Sequence, residues 1–186
     1  LVNIALRAGR DAAGVLAQQS ERPDRIRAVE TEAGQQVTSV EADADKSLLY
    51  HIRAVYPNHH VNSRISGEHP GKPGEPTWHL DPAIGMDNLL YGFPAFGVAI
   101  AIEINSKINH TAVLFPVLQE EFTASRGSGA QLNARRLRVR TGAELKNALI
   151  GVNPADLDAV LLTTLIRELI GKEGQFRALG DTTLDI

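Results

Sequence analysis

Phe96-Gly97-Val98-Ala99-Ile100-Ala101-Ile102-Glu103-Ile104 (residues 96–104) places Val98, Ile100, Ile102 and Ile104 at every second position. Alternation of this kind is the signature of a β-strand with one face in a core. Asn105-Ser106-Lys107 supplies a turn, and His110 to Phe115 returns beside the first strand. Glu121 to Ser125 continues the meander, Gly127 and Gly129 mark the next turn, and Leu132 to Arg140 reads as a further strand.

Outward from this meander the period changes. Residues 2–20 place Val2, Leu6, Ala13 and Leu16 on one helical face. Residues 22–36 are polar and turn-rich and read as a loop. A second helix runs from Val40 to Val55 through Val40, Ala44, Leu48, Ile52 and Val55, and Pro57 ends it. His59 to Ser63 reads as a short strand, and Gly67–Pro76 reads as an exposed, mobile loop. Trp78-His79-Leu80 is a strand leading into Asp81. After the meander, Leu149 to Val152 is a strand, and Asn153 with Pro154 opens a helix burying Leu157, Leu161, Leu165 and Leu169. Gln175 to Leu179 is a last strand, and a helix begins near Thr182. Two helices, an antiparallel meander, then a helix and a strand indicate an α/β protein of the layered α+β sandwich type, not a doubly wound parallel sheet.

Composition narrows the function. The chain has 186 residues, 43% apolar and 22% charged, as in ordinary globular proteins. No apolar run approaches the roughly 20 residues of a membrane span, so no membrane role is expected. The opening helix carries Arg7, Arg10 and Asp11, unlike a secretion signal. With no cysteine there is no disulfide, thiolate metal site or cysteine nucleophile, which fits a cytoplasmic protein. A net charge of −3 offers no global attraction to nucleic acid. Arg126, Arg135, Arg136, Arg138 and Arg140 form a local exception, with no acidic residue among them. In a strand, Arg136, Arg138 and Arg140 would share one face while Leu137 and Val139 point inward; the face is either solvated surface or an anion- or RNA-binding stripe. The histidines show no metal-ligand spacing, and His59-His60 reads as exposed.

Several stretches resemble the inositol monophosphatase family. Val37-Thr38-Ser39-Val40-Glu41 resembles its Val-Thr-x-x-Asp element. Trp78 to Leu89 resembles its Trp-x-x-Asp-Pro-Leu-Asp-Gly-Thr-Thr-Asn-Phe signature. Phe93-Pro94-x-Phe96-x-Val98-x-Ile100 matches the strand that follows, and Phe122 to Asn133 is the most intact match. The similarity spans essentially the whole chain and is nearest to the family's SuhB branch. It implies the sugar-phosphatase type of layered sandwich as a single domain over residues 1–186, a first α+β layer at 1–145 and the start of a second at 146–186. The family's carboxyl-terminal part, which holds a Trp-Asp metal ligand, is missing, so the chain reads as the ordered part of a longer protein. The resemblance also implies a homodimer.

The family reaction, by resemblance, is Mg²⁺-assisted hydrolysis of a phosphate monoester. Carried over residue by residue, the ligand set looks eroded. Asp81 is kept, and Glu41 stands for an aspartate. The partner aspartate is Ile84, the signature threonine is Met86, and the family's Glu-Glu pair falls on Arg64-Ile65, so a fixed positive charge stands where a metal would sit. Glu68 is the nearby replacement donor, and no catalytic set is intact. Gly85 and Asp87 match the phosphate-binding turn, and Gly180, Asp181 and Thr182 match the substrate edge. Plainer roles stand beside these. Asp81 before Pro82 suits a turn, Glu41 suits a helix start, and Glu68 suits a solvated loop. Three functions are therefore expected in order. The first is a family member with weak or absent Mg²⁺ binding, retained to bind RNA or a transcription factor of the ribosomal-RNA antitermination kind, with the arginine stripe as contact. The second is an active Mg²⁺-dependent inositol-1-phosphate phosphatase whose altered site uses Asp81, Glu41, Glu68 and Asp87. The third is a small-anion binding module around Gly85.

Overall fold

The computed structural model describes residues 1–31, 34–139, 141, 144–154, 157–181 and 183. The chain divides into two compact units, Leu1–Leu137 and Arg138–Ile186.

The first unit is built on an eight-stranded sheet. Its strands are β3 (His60–Ser63), β4 (Gly67–His69), β5 (Thr77–Ile84), β6 (Gly97–Ile104), β7 (Lys107–Phe115), β8 (Glu120–Ser125), β9 (Gly129–Leu132) and β10 (Arg135–Arg136). They lie in the order β10-β9-β8-β7-β6-β5-β3-β4, antiparallel throughout except for the parallel pair β3 and β5. Helices α1 (Val2–Ser20) and α2 (Ser39–Val55) pack on each other and on the central strands, α1 on β6 and β7 and α2 on β5. Val98, Ile100 and Ile102 of β6 and Trp78 and Leu80 of β5 form the sheet side of this core, as the period-two pattern requires.

Helix α1 buries Ala13 and Leu16 of the expected face, but its first turns bury small residues instead of Val2 and Leu6. Ala5, Ala8, Gly9, Ala12, Ala13 and Leu16 are buried, while Val2 and Leu6 are half-covered. Close approach explains the choice of small residues, since a Cβ on Gly9 would lie 2.5 Å from Leu114 Cδ1. The stretch 22–36 is not plain loop. It holds a 3₁₀ turn at Pro23–Arg25 and an antiparallel hairpin of β1 (Ala28–Glu30) and β2 (Gln36–Thr38), whose three-residue strands are too short to show a period. Gly67–His69 likewise pairs with β3 as an edge strand, so only the rest of the Gly67–Pro76 stretch is loop.

His59 is buried, contrary to its expected exposure. Its ring stacks on Tyr56 at 4.5 Å, and its Nδ1 accepts the indole N–H of fully buried Trp78 at 2.9 Å. A buried indole needs such an acceptor.

The expected single strand 132–140 is also corrected. Asn133 and Ala134 both have positive φ, closing a two-residue hairpin between β9 and β10. Strand β10 ends at Arg136, and Leu137 and Val139 are exposed at 40% and 93%, so neither points inward. Arg140 lies outside the described residues.

The second unit contains β11 (Leu149–Gly151) and β12 (Gln175–Arg177), paired in parallel, with α4 (Ala159–Gly171) between them in sequence. The helix begins later than Asn153-Pro154 suggested. Asp158 caps it, its carboxylate accepting the N–H groups of Val160 and Leu161, each at 2.9 Å. Of the expected apolar face only Leu169 is buried, whereas Leu161 is 51% exposed. The helix expected near Thr182 falls largely outside the described residues.

Two outcomes are expected from this packing. A Cβ on Gly97 would meet the Leu114 carbonyl oxygen at 2.2 Å, so Gly97→Ala should lower denaturant stability by roughly 1–3 kcal/mol. The second concerns pH. Burial lowers the pKa of His59 below its ordinary value, only partly offset by the Glu75 carboxylate. A depressed histidine pKa means the unfolded chain binds the proton first, so this contribution is full above the unfolded value of about 6.5 and is lost as pH falls through the folded one. Stability measured from pH 7 down to about 5 should therefore fall more steeply for the parent than for His59→Asn, which keeps an acceptor for Trp78 but does not titrate.

Candidate functional site

The site grows from the first turn of α2. Thr38 is the N-cap, and its side chain accepts the Glu41 N–H at 3.2 Å. Glu41 reaches back so that its Oε2 accepts the Thr38 N–H at 2.8 Å and the Thr38 hydroxyl at 2.9 Å. This reciprocal capping box fixes the Glu41 carboxylate, only 8% exposed, with its Oε1 turned toward the sheet.

Strand β3 delivers the second group. Ser63 at its end donates its hydroxyl to the buried Asp45 carboxylate and accepts the Ile65 N–H at 3.1 Å. The Arg64 N–H then donates to the Leu80 carbonyl at 2.9 Å, continuing the line of β3 alongside β5. Strand β5 delivers the third group. Its register against β6 shifts between Asp81 and Ile84, and the bulge turns the Ala83 carbonyl toward Arg64.

The three segments meet at one side chain. Arg64 Nε donates to Asp81 Oδ1 at 2.7 Å, and its Nη2 donates to Glu41 Oε1 at 3.1 Å and to the Ala83 carbonyl at 3.0 Å. Burial of the guanidinium works against its charge, but the bonds and charges of Asp81 and then Glu41 outweigh it and raise its pKa above the ordinary arginine value. It is therefore a permanent cation between two carboxylates.

The other predicted residues fall around this centre unevenly. Ile65 and Ile84 are buried at 3% and 2% exposure, and Met86 packs against the core. Gly85 takes the left-handed conformation, φ 68°, and caps α3 (Met86–Leu90), a helix of only five residues with Asp87 exposed in its first turn. Glu68 is exposed on edge strand β4, opposite Asn62, which in turn lies opposite His79. That is two strands across and two residues along from Asp81, about 12 Å by ordinary strand spacing and rise. The structure thus brings Glu41, Arg64 and Asp81 together and leaves Glu68 and Asp87 apart from them. In the second unit, Gly180 has a φ of 86° and Asp181 Oδ1 accepts the Thr183 N–H at 2.8 Å, while Thr182 is outside the described residues.

Sequence reasoning missed Asp45 and the Ala83 carbonyl. Asp45 was findable: it lies four residues beyond Glu41 on a helix, one turn along on the same face. The carbonyl was not, because it depends on the bulge.

These groups do not fit a magnesium ion. Mg²⁺ demands near-octahedral oxygen coordination, whereas the oxygens gathered here are two carboxylates and a carbonyl already bonded to a guanidinium, beside buried isoleucines. Among the described residues no group of three or more His, Asp or Glu side chains could hold a metal ion. No described helix is long and apolar enough to cross a membrane.

Comparison with known proteins gives these positions a context. The profile of the inositol monophosphatase family matches residues 1–186. Nus factor SuhB of Pseudomonas aeruginosa is 38% identical over 195 residues, covering 100% of this chain and 71% of that protein. Nus factor SuhB of Escherichia coli K12 is 33% identical over 189 residues, with 100% and 71% covered. The crystal structure of extragenic suppressor protein SuhB from Bartonella henselae superposes with a TM-score of 0.90 at 26% identity, covering 99% of this chain and 72% of that one. The chain belongs to the inositol monophosphatase family.

Proposed function

We propose that this chain serves as a SuhB-type binding protein for a transcription factor or RNA, and that Mg²⁺-dependent phosphomonoester hydrolysis is weak or lost in it. The observation that carries the reading is the Arg64 guanidinium bonded to both Glu41 and Asp81. Hydrolysis of the family kind relies on metal ions to polarise phosphoryl oxygens and generate a nucleophile from water. Here the carboxylates that would hold such an ion face a fixed positive charge, and Ile84 and Met86 add no hard oxygen. Relatives at 38% and 33% identity carry the name Nus factor, which supports a role in a transcription complex.

The altered-site phosphatase reading asks Glu68 to join Asp81 from two strands away, and Asp87 to turn in from an exposed helical turn. Neither residue is placed to do so. Gly85 keeps its turn, but one short helix gives an anion little to bind.

Inositol-1-phosphate hydrolysis across a Mg²⁺ titration tests the reading, run beside a family member whose metal ligands are intact and whose turnover is measurable. The parent should show no Mg²⁺-dependent rise above background. The quadruple variant Arg64→Glu, Ile65→Glu, Ile84→Asp, Met86→Thr should gain Mg²⁺ affinity. It should also be less stable than the parent in chelator, because positions 65 and 84 are buried and unpaired carboxylates there are costly. Parent turnover matching the reference would establish the phosphatase instead.

The basic segment supplies a separate test. Arg135 and Arg136 are exposed on edge strand β10, and Arg138 is exposed beyond it. Replacing Arg136 and Arg138 by serine should weaken RNA association and flatten its salt dependence by about one unit of slope per lost phosphate contact. An unchanged slope would return them to ordinary surface.

A further inference from the structure

The geometry points to Arg64 as a built-in cation that cross-links α2 to β5 and makes this chain's stability independent of divalent metal. The inference goes beyond the proposed binding role and holds whatever partner the chain takes.

Three segments distant in sequence present oxygen acceptors to one place. Glu41 comes from the first turn of α2, Asp81 from the end of β5, and the Ala83 carbonyl from the bulge that follows. Two carboxylates brought together in a half-buried setting repel each other and lose hydration, so the arrangement needs a cation. A guanidinium meets the need in a way a lysine cannot. Its planar fork directs Nε at Asp81, while Nη2 is shared between Glu41 and the carbonyl. The backbone supports the same placement, since the Arg64 N–H is bonded to Leu80 and the preceding Ser63 is tied to Asp45.

A divalent ion could enter only by expelling Arg64. The guanidinium would give up all three bonds, and the ion would gain two carboxylates while surrendering much of a tightly held hydration shell. The balance favours the arginine, so neither added Mg²⁺ nor its removal should be felt by the folded chain. Removing the arginine should reverse this, because Glu41 and Asp81 would then face each other across a hole of guanidinium shape.

Thermal melting at constant ionic strength tests the inference, using the full chain with EDTA, MgCl₂ or methylguanidinium chloride at low millimolar concentration and NaCl as control. The parent midpoint should be the same in all four. Arg64→Ala should melt lower by roughly 3–6 °C in EDTA. Mg²⁺ and methylguanidinium should each recover part of that loss, saturably, and Asp81→Asn added to Arg64→Ala should abolish the recovery. Arg64→Lys, which keeps the charge without the fork, should melt between parent and Arg64→Ala, and it decides the matter should Arg64→Ala not fold. A parent midpoint that rises saturably with Mg²⁺ would overturn the inference. So would Arg64→Ala or Arg64→Lys melting with the parent.

Discussion

One side chain holds the ends of three segments in this molecule, and it does so with charge. Arg64 leaves β3, crosses to the end of β5 and reaches the start of α2, bonding to Asp81, the Ala83 carbonyl and Glu41. A hydrophobic contact among these segments would tolerate sliding. A forked cation between fixed acceptors does not, because each donor has one direction in which it bonds well. The position of α2 on the sheet and the shape of the β5 bulge are therefore specified together at one point.

The opposite end of α2 is fixed by different means. Tyr56, at its C-terminus, stacks on His59, and His59 accepts the Trp78 indole N–H within the core. Helix α2 is thus pinned to β5 at both ends, by an ion network at the first turn and by an aromatic cluster after the last. Helix α1 relies mainly on close packing of small residues, with His51 of α2 meeting its Asp11 at 2.6 Å. Its Arg10 adds a bidentate pair to Glu121 of β8 at the surface, at 2.6 Å for each bond. Exposed pairs of this kind contribute modestly, so burial of Ala8, Ala12 and Leu16 remains the main hold.

What the sequence reveals of this structure follows the length of its periodic runs. The β6 and β7 strands and both long helices were legible because each repeats its apolar period several times. The hairpin of β1 and β2, the edge strand Gly67–His69 and the I′ turn at Asn133–Ala134 were not, since two or three residues show no period and Asn-Ala is a weak turn signal. In the candidate site, motif comparison named Glu41 and Asp81 as residual ligand positions and Arg64 as a degenerate one, but grouped the two acids with Glu68 and Asp87 instead of with the arginine. What it could not supply was the direction of each side chain. That depends on the capping box at Thr38, the Ser63–Asp45 bond and the bulge after Asp81, all of which arise from tertiary packing.

The capping box has an implication for how this site changes over evolutionary time. Both oxygens of Glu41 are in use, Oε2 on Thr38 and Oε1 on Arg64. An aspartate at position 41 is one methylene too short to reach back to the cap while also meeting the guanidinium, so the longer acid and the arginine suit each other. Exchanging either alone leaves an acid without its cation or a half-buried cation with one acid fewer, and either intermediate should be less stable. Lineages carrying arginine at position 64 should consequently hold positions 41, 64 and 81 as one inherited unit. Replacing the arginine with a carboxylate in this setting would have to pass through less stable proteins, which makes the arrangement slow to change.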